Sequence, residues 1–109
     1  MADIKYSYAK LGEAVSKLAV HPGRVKERLT EAANILTAVD PEIFVEKGMV
    51  HGVDDYWQTI WSSITTAPRD PQRGVFALSI DRLSEAEASH IAQLIVSVEA
   101  MVATALEDH

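Results

Sequence analysis

The stretch from Ser84 to Leu106 constrains the fold more than any other, because it is the longest uninterrupted helical pattern in the chain. Ser84-Glu85-Ala86-Glu87 opens it as a capping box, in which the Ser84 side chain accepts from the Glu87 amide and the Glu87 carboxylate accepts from the Ser84 amide. Ile91, Ile95, Val98, Val102 and Leu106 then recur at spacings of three and four, and Leu94 and Met101 widen the stripe. No Gly or Pro falls between Arg82 and His109, so nothing interrupts the pattern. Such a helix is roughly 33 Å long at about 1.5 Å per residue, and its broad apolar side has to be covered by other helices.

The rest of the sequence supplies candidates for that cover. A first helix is expected after Asp3 and runs to about Val20, with Ile4, Tyr8, Leu11, Val15 and Leu18 as its apolar seam. Gly12 inside it costs about 1 kcal/mol relative to alanine, which predicts a close approach by another helix there. His21-Pro22-Gly23 closes this helix and opens a second, to about Val39, whose seam is Val25, Leu29, Ala32, Leu36 and Val39. Two such seams joined by a tight link predict an antiparallel hairpin. Asp40-Pro41-Glu42 reads as the start of a short helix ending near Lys47 before Gly48. Asp54 or Asp55 is placed to start a helix carrying Trp57, Ile60, Trp61 and Ile64 on one side.

Between Ala67 and Arg82 the pattern is ambiguous. Phe76, Leu78 and Ile80 alternate as a strand would, but Asp70 as N-cap and Pro71 at the first helical position favour a helix through about Arg82. The reading is therefore an all-α fold, an antiparallel bundle of four to five helices in a single domain over 1–109. With 48% hydrophobic and 24% charged residues the composition is globular, and a chain of 109 residues suffices for one core. No cysteine is present, so disulfides and thiolate metal sites are excluded. No apolar run approaches a membrane span and Met1-Ala2-Asp3-Ile4-Lys5 lacks the apolar core of a signal peptide, so a cytoplasmic location away from membranes is expected.

No catalytic constellation emerges. Glu87-Ala88-Ser89-His90 has the Glu-x-x-His spacing of a di-iron bundle, but no second such pair exists, so neither a metal nor a cofactor is expected. Ser62, Ser63, Thr65 and Thr66 lack a nucleophile elbow and read as a helix terminus. An enzyme would have to use a polar pocket around His51, Asp54, Asp55 and Arg73, for which no motif speaks.

Two features point instead to interaction. Tyr56, Trp57 and Trp61 load one helix with aromatic side chains; core packing accounts for the tryptophans, whereas Tyr56 and Tyr6 lie off their seams and are the candidates to face a partner. Leu94 and Met101, seven apart beside the main stripe, either occupy a central place in the bundle or form a patch suited to a symmetric dimer. The net charge of −6 argues against a phosphate-binding surface, yet residues 1–30 carry +3, leaving −9 elsewhere. A nucleic-acid accessory role using Lys10, Lys17, Arg24, Lys26 and Arg28 is thus the alternative to a protein or self partner.

The words Tyr8-Ala9-Lys10-Leu11-Gly12-Glu13-Ala14-Val15, Arg28-Leu29-Thr30-Glu31-Ala32, Arg73-Gly74-Val75 and Ile91-Ala92-Gln93-Leu94-Ile95 give an order of motifs that resembles small bacterial proteins of unassigned function, some in phage-like or mobile gene neighbourhoods. The resemblance implies an accessory or regulatory protein and a helix around Phe76.

Overall fold

A computed structural model describes residues 4–20, 24–39, 53–67 and 74–107. These hold five α-helices in chain order: α1 (Ile4–Val20), α2 (Val25–Leu36), α3 (Val53–Ile64), α4 (Val75–Asp81) and α5 (Glu85–Glu107). There is no strand among the described residues, so the Phe76 region takes the helical of its two patterns. The short helix expected from Pro41 to Lys47 lies outside the described residues.

The last helix forms as its sequence dictates. The Ser84 amide donates to Glu87 Oε1 at 2.9 Å and the Glu87 amide donates to Ser84 Oγ at 3.0 Å, a complete capping box. Ala88, Ile91, Ile95, Val98 and Val102 are then buried along one side. Helices α1, α2 and α3 all pack on α5, and a single cluster of buried apolar side chains joins them. The α3 line of Val53, Trp57, Ile60 and Ile64 covers α5 from one side. From the other come α1 and α2, each with small residues on its buried side: Ala14 on α1, Ala32 and Ala33 on α2. Small side chains there allow the helix axes to approach closely.

On α1 the fully buried line is Ser7, Leu11 and Ala14, continued by Leu18, while Tyr8 and Val15 flank it half-buried. The buried face is therefore turned by one position from the seam of large apolar residues. On α2 the helix proper ends at Leu36, and hydrogen bonds from the Ala38 amide to the Ile35 carbonyl and from the Val39 amide to the Leu36 carbonyl extend it by a tight turn to Val39.

The first turn of α2 holds the ends of two other helices. Arg28 Nη1 donates to the Leu18 carbonyl at 2.9 Å, near the C-terminus of α1, and Lys26 Nζ donates to the Asp81 carbonyl at 3.3 Å, the last residue of α4. Both satisfy carbonyls that a helix end leaves without an intrahelical partner, and both place a cation at the negative end of a helix dipole. The short α4 is further fixed by Ser79, buried, whose Oγ accepts from the Ala67 amide at 2.9 Å, and by Phe76, which meets Trp61 edge-on at 5.6 Å.

Two details differ from expectation. Helix α4 begins at Val75 with Gly74 as its N-cap, not at Asp70 and Pro71. Gly74 has φ 79° and ψ 152°, a conformation that only glycine adopts without strain. Helix α3 starts at Val53, one residue before Asp54, so its described span opens ahead of both aspartates. Gly12 also departs from the reason given for it: among the described residues a Cβ added there meets nothing within 4 Å, so no described helix presses on it.

The two glycines should therefore respond in opposite senses. Gly12→Ala is expected to raise stability by up to about 1 kcal/mol, since it removes backbone freedom from the unfolded chain without a clash. Gly74→Ala is expected to lower it by about 1 kcal/mol or more through backbone strain alone. Urea unfolding of the two variants, followed by circular dichroism, checks both signs. Loss of stability in Gly12→Ala would mean that the α1 surface is covered after all.

Candidate functional site

Three concave places on the described surface differ in their chemistry. The first lies where the second half of α1 faces the middle of α5 and the start of α2. It is a groove of about 640 Å³, with Val15, Leu18 and Ala19 from α1, Val25 and Arg28 from α2, and Ala92 and Val96 from α5, and with Ser89, Gln93 and Ser97 along its α5 edge. The hydrogen bond from Tyr8 Oη to Glu99 Oε1, at 3.3 Å, sits further along the same pair of helices. Since Tyr8 precedes Val15 while Glu99 follows Ala92, α1 and α5 run antiparallel past the groove.

Val96 is 43% exposed, the most open large apolar side chain among the described ones on α5. Arg28 is the only charged residue lining the groove among the described residues. Its Nη1 is held by Leu18, but its Nε is buried with no hydrogen-bond partner, and no carboxylate among the described residues lies within ion-pair distance of it. A buried donor left without an acceptor is unusual and destabilising.

The second place is smaller, about 350 Å³, and brings together Thr59, Ser63, Glu87 and His90 beside Leu83 and Ile91. Hydroxyl, carboxylate and imidazole groups meet here, as general acid–base chemistry would require. They are nonetheless committed elsewhere. Ser63 Oγ donates to the Thr59 carbonyl at 2.8 Å and Thr59 Oγ1 to the Asp55 carbonyl at 3.1 Å, so both hydroxyls close turns of their own helix. Glu87 is engaged by Ser84, whose backbone amide first and hydroxyl second hold the carboxyl below its ordinary value, with Lys26 adding a smaller pull. His90 is exposed. No group of three or more metal-ligating side chains occurs among the described residues.

The third place is shallow and lies against Trp57 and Trp61, whose rings stack at 6.0 Å and 11°. Trp57 is buried and Trp61 half-buried, so the pair belongs mainly to the core. Ser62, Ser63 and Thr65 donate to carbonyls of the same helix, in keeping with a helix terminus.

The expected interaction residues fall into two groups. Tyr6 is 51% and Tyr56 41% exposed, on α1 and α3. Leu94 and Met101 are half-buried and packed against the core. Of the five basic candidates, Arg28 and Lys26 clamp helix ends, and Lys10 pairs with Glu13 at 3.3 Å and stands 5.6 Å from the Tyr6 ring centroid. Lys17 and Arg24 are exposed. Of the four residues named for an enzyme pocket, Asp55 is exposed on α3, while His51 and Arg73 lie outside the described residues.

The groove residues Val15, Ala92 and Val96 form a site that reading the sequence missed. The signal for it is a second line on α5, Ser89, Ala92 and Val96 at spacings of three and four, obscured because only Val96 is large. No family model matches the chain, and it has no significant match among curated proteins or solved structures.

The second place yields a pH test. Because folding favours the Glu87 carboxylate, its stabilising contribution is complete above the ordinary glutamate pKa of about 4.3 and fades as the pH falls through the lowered folded value. Wild type should thus be more stable than Glu87→Gln at neutral pH, with the gap closing on acidification below about pH 4.3. Urea midpoints of both proteins across this range decide it. A gap that stays constant would show that Glu87 does not act through its charge.

Proposed function

We propose that this chain is a non-enzymatic accessory module that works by presenting a helix face to another protein or to a second copy of itself. The observation that carries this reading is the placing of its large apolar side chains: Tyr6, Tyr56 and Val96 stand open on α1, α3 and α5, although the core has ample aliphatic material to close around. Aromatic side chains held at a rigid surface are common anchors of interfaces. The reactive groups point the same way, since the hydroxyls and the carboxylate of the pocket beside His90 are taken up by helix carbonyls and a capping box. The resemblance to small bacterial proteins of unassigned function, which implies an accessory or regulatory role, leans in this direction too. The nucleic-acid alternative has less behind it, because Lys10, Lys26 and Arg28 already serve the fold and leave Lys17 and Arg24 as the exposed members. No described helix is long and apolar enough to cross a membrane.

The two groups of candidate residues give the test. A Tyr6→Ala/Tyr56→Ala variant should keep its helicity and stability within about 0.5 kcal/mol while losing self-association or partner binding. A Leu94→Lys/Met101→Lys variant should instead lose about 1–3 kcal/mol of stability, as half-buried core contacts would. Light scattering over a range of concentrations reads assembly, and thermal unfolding reads stability. Assembly that survives the tyrosine substitutions, or a nucleic-acid affinity that falls steeply with salt, would count against the reading.

A further inference from the structure

The groove between α1, α2 and α5 can be assigned an occupant, on the premise that the chain is an interaction module. Small residues, Ala19, Ala92 and Ser97, make up much of its lining beside the larger Val15 and Val96. The α5 edge from Ser89 to Ser97 is about 12 Å long, or roughly two helical turns. A groove between two antiparallel helices, lined in large part by small residues, accepts a third helix at an interaxial distance of about 8–10 Å. An extended peptide would fit it poorly, because the flanking helices spend their amides and carbonyls internally and offer none to an incoming backbone. A small molecule would be poorly enclosed, since the groove lies open along its length.

Charge selects among helices. Arg28 is the lone charged residue among the described residues of the groove, and the exposed Arg24 precedes it at the N-cap of α2. Even Glu31, one turn after Arg28, makes no ion pair with it. The chain as a whole carries −6, so an acidic partner is disfavoured over most of the surface and favoured at this spot. A second copy does not supply the matching element among the described residues. Its open large apolar side chains, Tyr6, Tyr56 and Val96, stand singly, one to a helix, so no described helix offers two open large apolar anchors one turn apart.

We propose that the groove receives an amphipathic helix of another protein, in contact over about two turns, whose apolar side chains at i and i+4 pack on Val15, Ala92 and Val96 and whose Asp or Glu pairs with Arg28. The carboxylate answers the one charge among the described groove residues, and its pairing with the guanidinium fixes the register of the incoming helix.

The probe is a displayed library of short helix-forming peptides panned against the full chain. Enriched sequences are expected to share an i, i+4 apolar pair with an acidic residue one turn away. Their affinity should fall at least about tenfold in Val96→Lys, a substitution at an open position that leaves the fold intact. Changing the acidic residue of the peptide to its amide should weaken binding about tenfold to wild type and have little effect on Arg28→Gln. If Arg28→Gln unfolds, because it also releases the end of α1, Val96→Lys and Ala92→Arg carry the test. Enriched peptides that lack the acidic residue or ignore Val96→Lys would overturn the proposal, and so would a library that yields no binder. A concentration-dependent dimer broken by Val96→Lys would give the groove to a second copy and overturn it as well. Peptides whose binding depends on Tyr6 or Tyr56 instead would remove the groove but leave the interaction module standing.

Discussion

The burial of one side of α5 is the constraint from which the remaining structure follows. Ile91, Ile95, Val98 and Val102 are each worth roughly 1.5–3 kcal/mol when taken out of water, and none of that is available to an isolated helix. Three helices are needed to cover a face that wide, and they meet it differently. From α3 come bulky side chains, Trp57 and Ile60 among them, whereas α1 and α2 bring alanines and so come in close. What is left over follows from this asymmetry. Where α1 and α2 draw close with small residues, the outer edge of α5 is left shallowly covered, and the groove lies there.

The parts of this fold that the sequence discloses are those in which one residue type has one structural use. The Ser84 capping box and the stripe behind it are of this kind, as is the hairpin implied by two seams around Pro22 and Gly23. Less legible is which way a helix turns its face. On α1 the large residues Tyr8 and Val15 look like the buried line, yet Ser7 and Ala14 are the ones fully enclosed, because a close neighbour selects for smallness and pushes bulk to the flank. Gly12 misleads in a similar way. A helical glycine suggests a neighbour pressing on it, and here the space above it is open.

The groove was hidden for a related reason. It is assembled from three elements distant in sequence, and most of its lining is too small to stand out as a pattern. Arg28 gives little sign in the sequence of being anything but a surface cation, since its significance lies in a carbonyl at the end of another helix and in an acceptor that is missing. The positive charge of the first thirty residues has the same origin. Read along the chain it suggests a phosphate-binding strip, but in the fold much of it is drawn to the carboxyl ends of helices.

The two clamps on the first turn of α2 also differ in chain entropy. Arg28 reaches a carbonyl 10 residues away and Lys26 one 55 residues away. Closing the longer loop costs about 1.5 kcal/mol more on a logarithmic dependence of closure entropy on length. The hairpin of α1 and α2 can therefore hold together while α4 is detached, whereas α4 has only seven residues and no near neighbour in sequence on α2 to fall back on. Amide exchange would register this as earlier opening at the Asp81 end than at the Leu18 end. Of the two clamps on α2, the one at Asp81 is thus the costlier to close and the first expected to open.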